Sequence, residues 1–124
     1  MKITAGHQQV MPYMIVADAE AFLDFAKHIF NAQEIVRNLD TKKRISYSEI
    51  KIGESTMMLM QATPQIKSNS SCFYVYVMDT DETFYKALQF GATSLMLPMN
   101  EADDTRSAGF QDPFGNTWWV STLV

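Results

Sequence analysis

The chain has 124 residues, 47% of them hydrophobic, and a formal net charge of −4. That length suits one domain, which buries about two-thirds of its unfolded surface and needs no staple, and the apolar fraction excludes a disordered chain. An acidic balance without a basic block argues against nucleic acid, and a single cysteine, Cys72, excludes an intrachain disulfide and suits a reducing cytoplasm. No apolar stretch reads as a signal peptide or a bilayer span, so a cytoplasmic protein with no membrane partner is expected.

In chain order, Val10 to Val16 reads as a strand. Asp18 follows as an N-cap, with Glu20 in the first turn, where the helix dipole favours an acid. Phe22, Phe25, Ala26, Ile29 and Phe30 then recur at helical spacing, and Asn31 can end the helix in a left-handed conformation. Strands are expected over Glu34 to Leu39, Arg44 to Ile52 and Thr56 to Gln61, the last two joined by a turn at Gly53 and Glu54. A polar stretch, Ala62 to Ser71, links this half to the next.

The second half repeats the order. Cys72 to Met78 is strand-like. Thr80 is read as the cap of a helix carrying Phe84, Ala87 and Leu88 on one face, stopped by Gly91. Strands follow near Thr93 to Leu97, Arg106 to Gln111 and Thr117 to Leu123. The pattern is βαβββ twice, an α+β fold in a single domain over 1–124 with repeat halves of about 1–66 and 67–124. Strand alternation assigns the faces. Phe73, Val75 and Val77 suit a helix, whereas Cys72, Tyr74, Tyr76 and Met78 point the other way. Ser48, Ile50 and Ile52 share one face of their strand, and Tyr47, Glu49 and Lys51 share the other. The non-helical faces are therefore rich in Tyr, Met and Trp with a few charges, the make-up of a ligand-binding concavity.

The closing segment, Asp112-Pro113-Phe114-Gly115-Asn116-Thr117-Trp118, is a tight turn between strands: Asp112 can bond backbone two residues on, Pro113 presets φ and Gly115 tolerates φ > 0. It resembles the closing hairpin of the vicinal-oxygen-chelate superfamily, which includes glyoxalases, bleomycin-resistance proteins and extradiol dioxygenases. The resemblance implies two βαβββ units whose strands curve around a cleft, and a homodimer. It also implies four metal ligands, usually His or Gln and Glu. Transferred position by position, these fall on Met11, Met58, Cys72 and Trp119. That set does not suit a divalent ion, so no metal and no cofactor are expected. The nine methionines are read as adaptable packing or cleft lining.

His7 and His28 are both read as surface or terminal histidines. Glu101, Asp103 and Asp104 are either a carboxylate group for acid/base work or a solvated loop. Arg106 is either a bidentate clamp for an anionic ligand group, as the resemblance suggests, or half of an ion pair with Asp103 or Asp104. Tyr13, Tyr47, Tyr74, Tyr76 and Trp119 are either a stacking platform for a planar ligand or core and interface residues. Cys72, with no His or Lys beside it, is read as a buried thiol.

The candidate ligand-binding residues are therefore Tyr13, Tyr47, Met58, Tyr74, Tyr76, Arg106 and Trp119. The resulting expectation is a metal-free small-molecule binding protein of the bleomycin-resistance type, holding an aromatic or amphipathic ligand. The rival is a divergent lyase, isomerase or dioxygenase relative with a shifted metal site or no metal. No catalytic residue is assignable from the sequence.

Overall fold

A computed structural model of the chain describes residues 1–124 and divides them into two compact units, Met1–Asn69 and Ser70–Val124. The first unit runs β1 (Tyr13–Val16), α1 (Ala19–Phe30), β2 (Gln33–Leu39), β3 (Ile45–Ile52) and β4 (Ser55–Gln61). Its sheet has the order β1-β4-β3-β2, with β1 parallel to β4 and the other pairs antiparallel. The second unit runs β5 (Cys72–Tyr76), α2 (Thr80–Gln89), β6 (Thr93–Asn100), β7 (Thr105–Gln111) and β8 (Thr117–Leu123). Its order, β5-β8-β7-β6, repeats the first, again with one parallel pair. The α+β reading and the doubled βαβββ pattern are what the structure shows.

In the first unit the extended Asp18 caps α1 by accepting from the Ala21 N–H at 3.0 Å. Asn31, at φ 56°, ends the helix as expected. The apolar stripe of α1 is buried together with Met14, Val16, Ile50, Met57 and Leu59 of the sheet. Gln61 ties the sheet to the start of α1: its Oε1 accepts from the Ala19 N–H and its Nε2 donates to the Ala17 carbonyl.

In the second unit the cap is Asp79, not Thr80. The Asp79 carboxylate is already in place to accept from the Glu82 N–H, at 3.1 Å. Thr80 is the first helical residue, and its hydroxyl turns inward, donating to the Arg106 carbonyl and meeting the Thr122 hydroxyl. Gly91, at φ 98°, follows the end of α2. The first strand also starts later than its apolar run suggests, at Tyr13 rather than Val10. Pro12 has no N–H to give the ladder, yet its carbonyl still accepts from the Met58 N–H.

The closing hairpin is organised by Asp112, which is buried. One carboxylate oxygen accepts from the Phe114 and Asn116 N–H groups, and the other from the Asn116 amide and the Trp118 indole at 2.8 Å. Asn116 in turn accepts from the Ser71 N–H, fixing the entry to β5. Gly115 takes φ 88°, which the turn requires.

Candidate functional site

Alternation along β8 separates its two indoles. Trp118 is fully buried, stacked on Phe73 with ring centroids 4.6 Å apart. Trp119 points to the open face, directly opposite Gly109 of β7 and beside Tyr74 of β5 in register. Its ring lies over the Gly109 backbone, where any Cβ would overlap the six-membered ring. The bare glycine is what lets the indole lie flat on the sheet.

Around this indole the second unit forms a cleft of about 410 Å³, walled by Trp119, Tyr74 and Met96. Its other end is polar, with Glu101, Asp103, Thr105 and Ser107. The hydroxyls there form a chain: Thr105 Oγ1 donates to Asp103 Oδ1 at 2.5 Å, Thr105 and Ser107 lie 3.4 Å apart, and Ser107 meets Ser121 at 3.0 Å. The cleft is thus apolar and aromatic on one side and rich in acceptors on the other, a form that suits an amphipathic molecule. Of the acidic loop, Glu101 and Asp103 join this lining, and neither forms an ion pair with a lysine or arginine.

Five of the seven expected members stand elsewhere, two of them, Tyr76 and Arg106, in this unit. Tyr76, beside Tyr74 with rings edge-on at 5.5 Å, is 72% exposed and extends the open face beyond the cleft lining. Arg106 is turned to the helix side, in phase with Ala108 and Phe110. Its guanidinium holds Asp81 of α2 bidentately at 2.6 and 2.9 Å and donates to Asn100. Arg106 therefore neither clamps a ligand in this cleft nor pairs with Asp103 or Asp104, because β7 alternation puts it on the α2 face. The hydrogen bonds from its guanidinium, helped by its charge, hold the Asp81 carboxyl below the usual range. Cys72 is exposed rather than buried: it opens β5 on the face away from α2.

The open face of the first unit collects Tyr13, Tyr47 and Met58. Tyr13 pairs in register with Met58, Met58 with Glu49, and Tyr47 with Met60. The Tyr13 and Tyr47 rings are 6.3 Å apart. Glu49 is the centre of this face. It accepts from the Tyr47 hydroxyl at 2.7 Å and is 2.6 Å from His7 Nε2. Burial raises the Glu49 carboxyl, but the bonds from Tyr47 and His7 outweigh it and leave it below the usual range. Burial, followed by the bond to Glu49, pushes the Tyr47 phenol up.

His7 is thus no surface histidine: its side chain is only 14% exposed. The segment carrying it is anchored by Gln8, bonded twice to the Thr56 backbone, and by the Thr56 hydroxyl, which donates to the Gly6 carbonyl. Nothing local in the sequence pairs residues 7 and 49. The one available signal was Tyr47 and Glu49 sharing a face at a spacing of two. His28 is solvent-facing as expected, its Nδ1 bonded to the Asp24 carbonyl.

Met11, Met58, Cys72 and Trp119, the positions onto which the hairpin resemblance transfers the family's metal ligands, carry two thioethers, one exposed thiol and an indole. An indole offers no lone pair, and thioethers are poor donors to Zn²⁺, Mn²⁺ or Fe²⁺, so this set does not fit those ions. No three of the His, Cys, Asp and Glu side chains converge on a point that could hold a metal.

The repeated βαβββ topology defines a class. A sequence profile described as the Glyoxalase/Bleomycin resistance protein/Dioxygenase superfamily matches residues 6–120, and the chain belongs to that superfamily. Among individual proteins, it is 27% identical over 124 residues to an uncharacterised protein of Mycobacterium tuberculosis, covering 91% of this chain and 73% of that one. A Mycobacterium bovis counterpart matches at 27% with 82% of its length covered. Solved structures share the fold. TioX from Micromonospora sp. ML1 superposes with a TM-score of 0.77 at 17% identity, over 94% of this chain and 99% of that one. A family enzyme from Burkholderia phytofirmans gives 0.67 at 19%, over 90% and 95%. No helix of the chain is long and apolar enough to cross a membrane.

Proposed function

We propose that this chain is a metal-free small-molecule binding protein that sequesters an aromatic or amphipathic ligand in the cleft of its second unit. The observation that carries the reading is Trp119, an accessible indole laid over Gly109 at the wall of a cleft whose far end is polar. A planar group stacks on Trp119 and Tyr74, and its polar end meets Ser107, Thr105 and the Asp103 and Glu101 carboxylates. In this reading two copies pair, covering exposed apolar groups such as Tyr76, Leu97 and Leu123. A monomer mass in light scattering at micromolar concentration would remove that part alone.

The test is a tryptophan-fluorescence screen of planar aromatic compounds against the wild type and Trp119→Ala. Saturable quenching is expected in the wild type and lost in the variant, with no stoichiometric Mn, Fe, Ni or Zn in the purified protein. Equal quenching in both proteins, or one equivalent of bound metal, overturns the reading.

A further inference from the structure

The cleft leaves the His7–Glu49–Tyr47 cluster unused. We propose that it is a second functional site, in which His7 is a general base for a small carbonyl ligand and Glu49 is its positioning residue. Three observations support this.

First, the His7 tautomer follows from its partner. A carboxylate held below its usual range is ionised at neutral pH and can only accept, so at 2.6 Å His7 Nε2 must donate. In the neutral ring the lone pair then sits on Nδ1. That atom makes no hydrogen bond within the chain, and because every buried side-chain nitrogen and oxygen is partnered, it faces solvent. Second, Glu49 is locked from both sides. Tyr47 occupies Oε2 and His7 occupies Oε1, so the carboxylate orients the imidazole and has no spare oxygen aimed at a substrate. Third, the face offers apolar contact beside the imidazole, with Lys51, two residues along β3 from Glu49, as its nearest cation in the strand. The register neighbours on this face are Tyr13, Met58 and Met60, which are apolar or aromatic.

The step is the hydrolysis of a small ester. Nδ1 takes a proton from a water, and the water oxygen bonds to the carbonyl carbon. The bond to the leaving oxygen then breaks with its electron pair, and that oxygen takes the proton back from Nδ1. Ester and water become acid and alcohol, with His7 unchanged.

The chain supplies its own control, because it has only two histidines and the other, His28, is on the helix surface. p-Nitrophenyl acetate is the probe, in a Cys72→Ser background so that the exposed thiol contributes no acyl transfer. His7→Gln is expected to drop steady-state p-nitrophenol release to the uncatalysed rate, and His28→Gln to leave it unchanged. Glu49→Gln keeps the shape of the site but can offer its amide N–H to Nε2. It should move the proton to Nδ1 and lower the rate by about tenfold. Imidazole ¹⁵N shifts read that change directly: protonated Nε2 in the wild type, protonated Nδ1 in Glu49→Gln. A role confined to pinning the N-terminal segment would not give this coupled loss and tautomer switch. The proposal is overturned if His7→Gln turns over the ester like the wild type, or if the neutral wild-type ring carries its proton on Nδ1.

Discussion

The two units share strand order, one parallel pair and an Asp cap on each helix, yet the faces that their helices bury differ. Helix α1 buries Ala19, Phe22, Leu23, Phe25, Ala26, Ile29 and Phe30, a wholly apolar set. Helix α2 buries Thr80, Thr83, Phe84 and Ala87, and its seam with the sheet is stitched by the Thr80–Thr122 hydroxyls and the Arg106–Asp81 pair. Both units bury an apolar core, the second with Phe84, Phe110, Trp118 and Val120, but α2 brings fewer apolar residues to its seam and adds directed polar bonds there. Apolar burial tolerates exchange of similar volumes, whereas directed bonds fail when one partner is removed. The seam of α2 should therefore be more sensitive to removal of a single polar partner than the seam of α1.

The largest expected effect is at the paired tryptophans. Trp118→Ala should lose about 3–5 kcal/mol of stability in urea denaturation, and Trp119→Ala about 1 kcal/mol, because only Trp118 leaves a core cavity. Equal losses would mean that the two faces of β8 are not distinct. Next is Asp112→Ala, which orphans buried donors of Asn116 and Trp118 at once and should cost about 2–4 kcal/mol. The first unit's hairpin at Gly53 is the contrast: Gly53→Ala meets only the strain of its φ of 56°, about 1 kcal/mol.

Acid should unfold the protein partly through the first unit. The bond from Arg37, reinforced by Lys27, holds Glu34 below its ordinary value. A carboxyl lowered in the folded state contributes stability that is complete above its unfolded pKa and fades as pH falls through the lowered value. Glu49 behaves likewise. Glu34→Gln should therefore flatten the stability profile below about pH 4.5, with little change in its slope near neutrality. An unchanged acid limb would remove Glu34 from the account. The smallest effects are the caps. Asp18→Ala and Asp79→Ala should each cost about 1 kcal/mol, and the Asp79 change should raise amide exchange more, since α2 has fewer buried apolar residues to hold it.

Elements governed by near neighbours were legible in the sequence. The stripe of α1, the left-handed Asn31, the alternation that separates Trp118 from Trp119 and the Asx turn at Asp112 all follow from residues a few positions apart. The cleft was half legible. Tyr74 and Trp119 came from alternation on β5 and β8, but Met96, Thr105 and Ser107 join them only through strand pairing, and β6 carries register shifts that break its period. Arg106 lies near the hairpin in sequence, but its phase along β7 sends it to the helix side, because it shares the parity of Phe110, which is buried. His7 was out of reach altogether. Its partner lies 42 residues away, and the link depends on an irregular segment folding back over Thr56.

The flat indole on Gly109 has a genetic consequence. Every glycine codon is one nucleotide from an alanine codon, and the single methyl so gained cannot coexist with the Trp119 ring in its present place. One point mutation therefore tilts the wall of the cleft without touching any residue that would contact a ligand. The shape of this cleft is therefore open to drift at a position that a survey of contact residues would overlook.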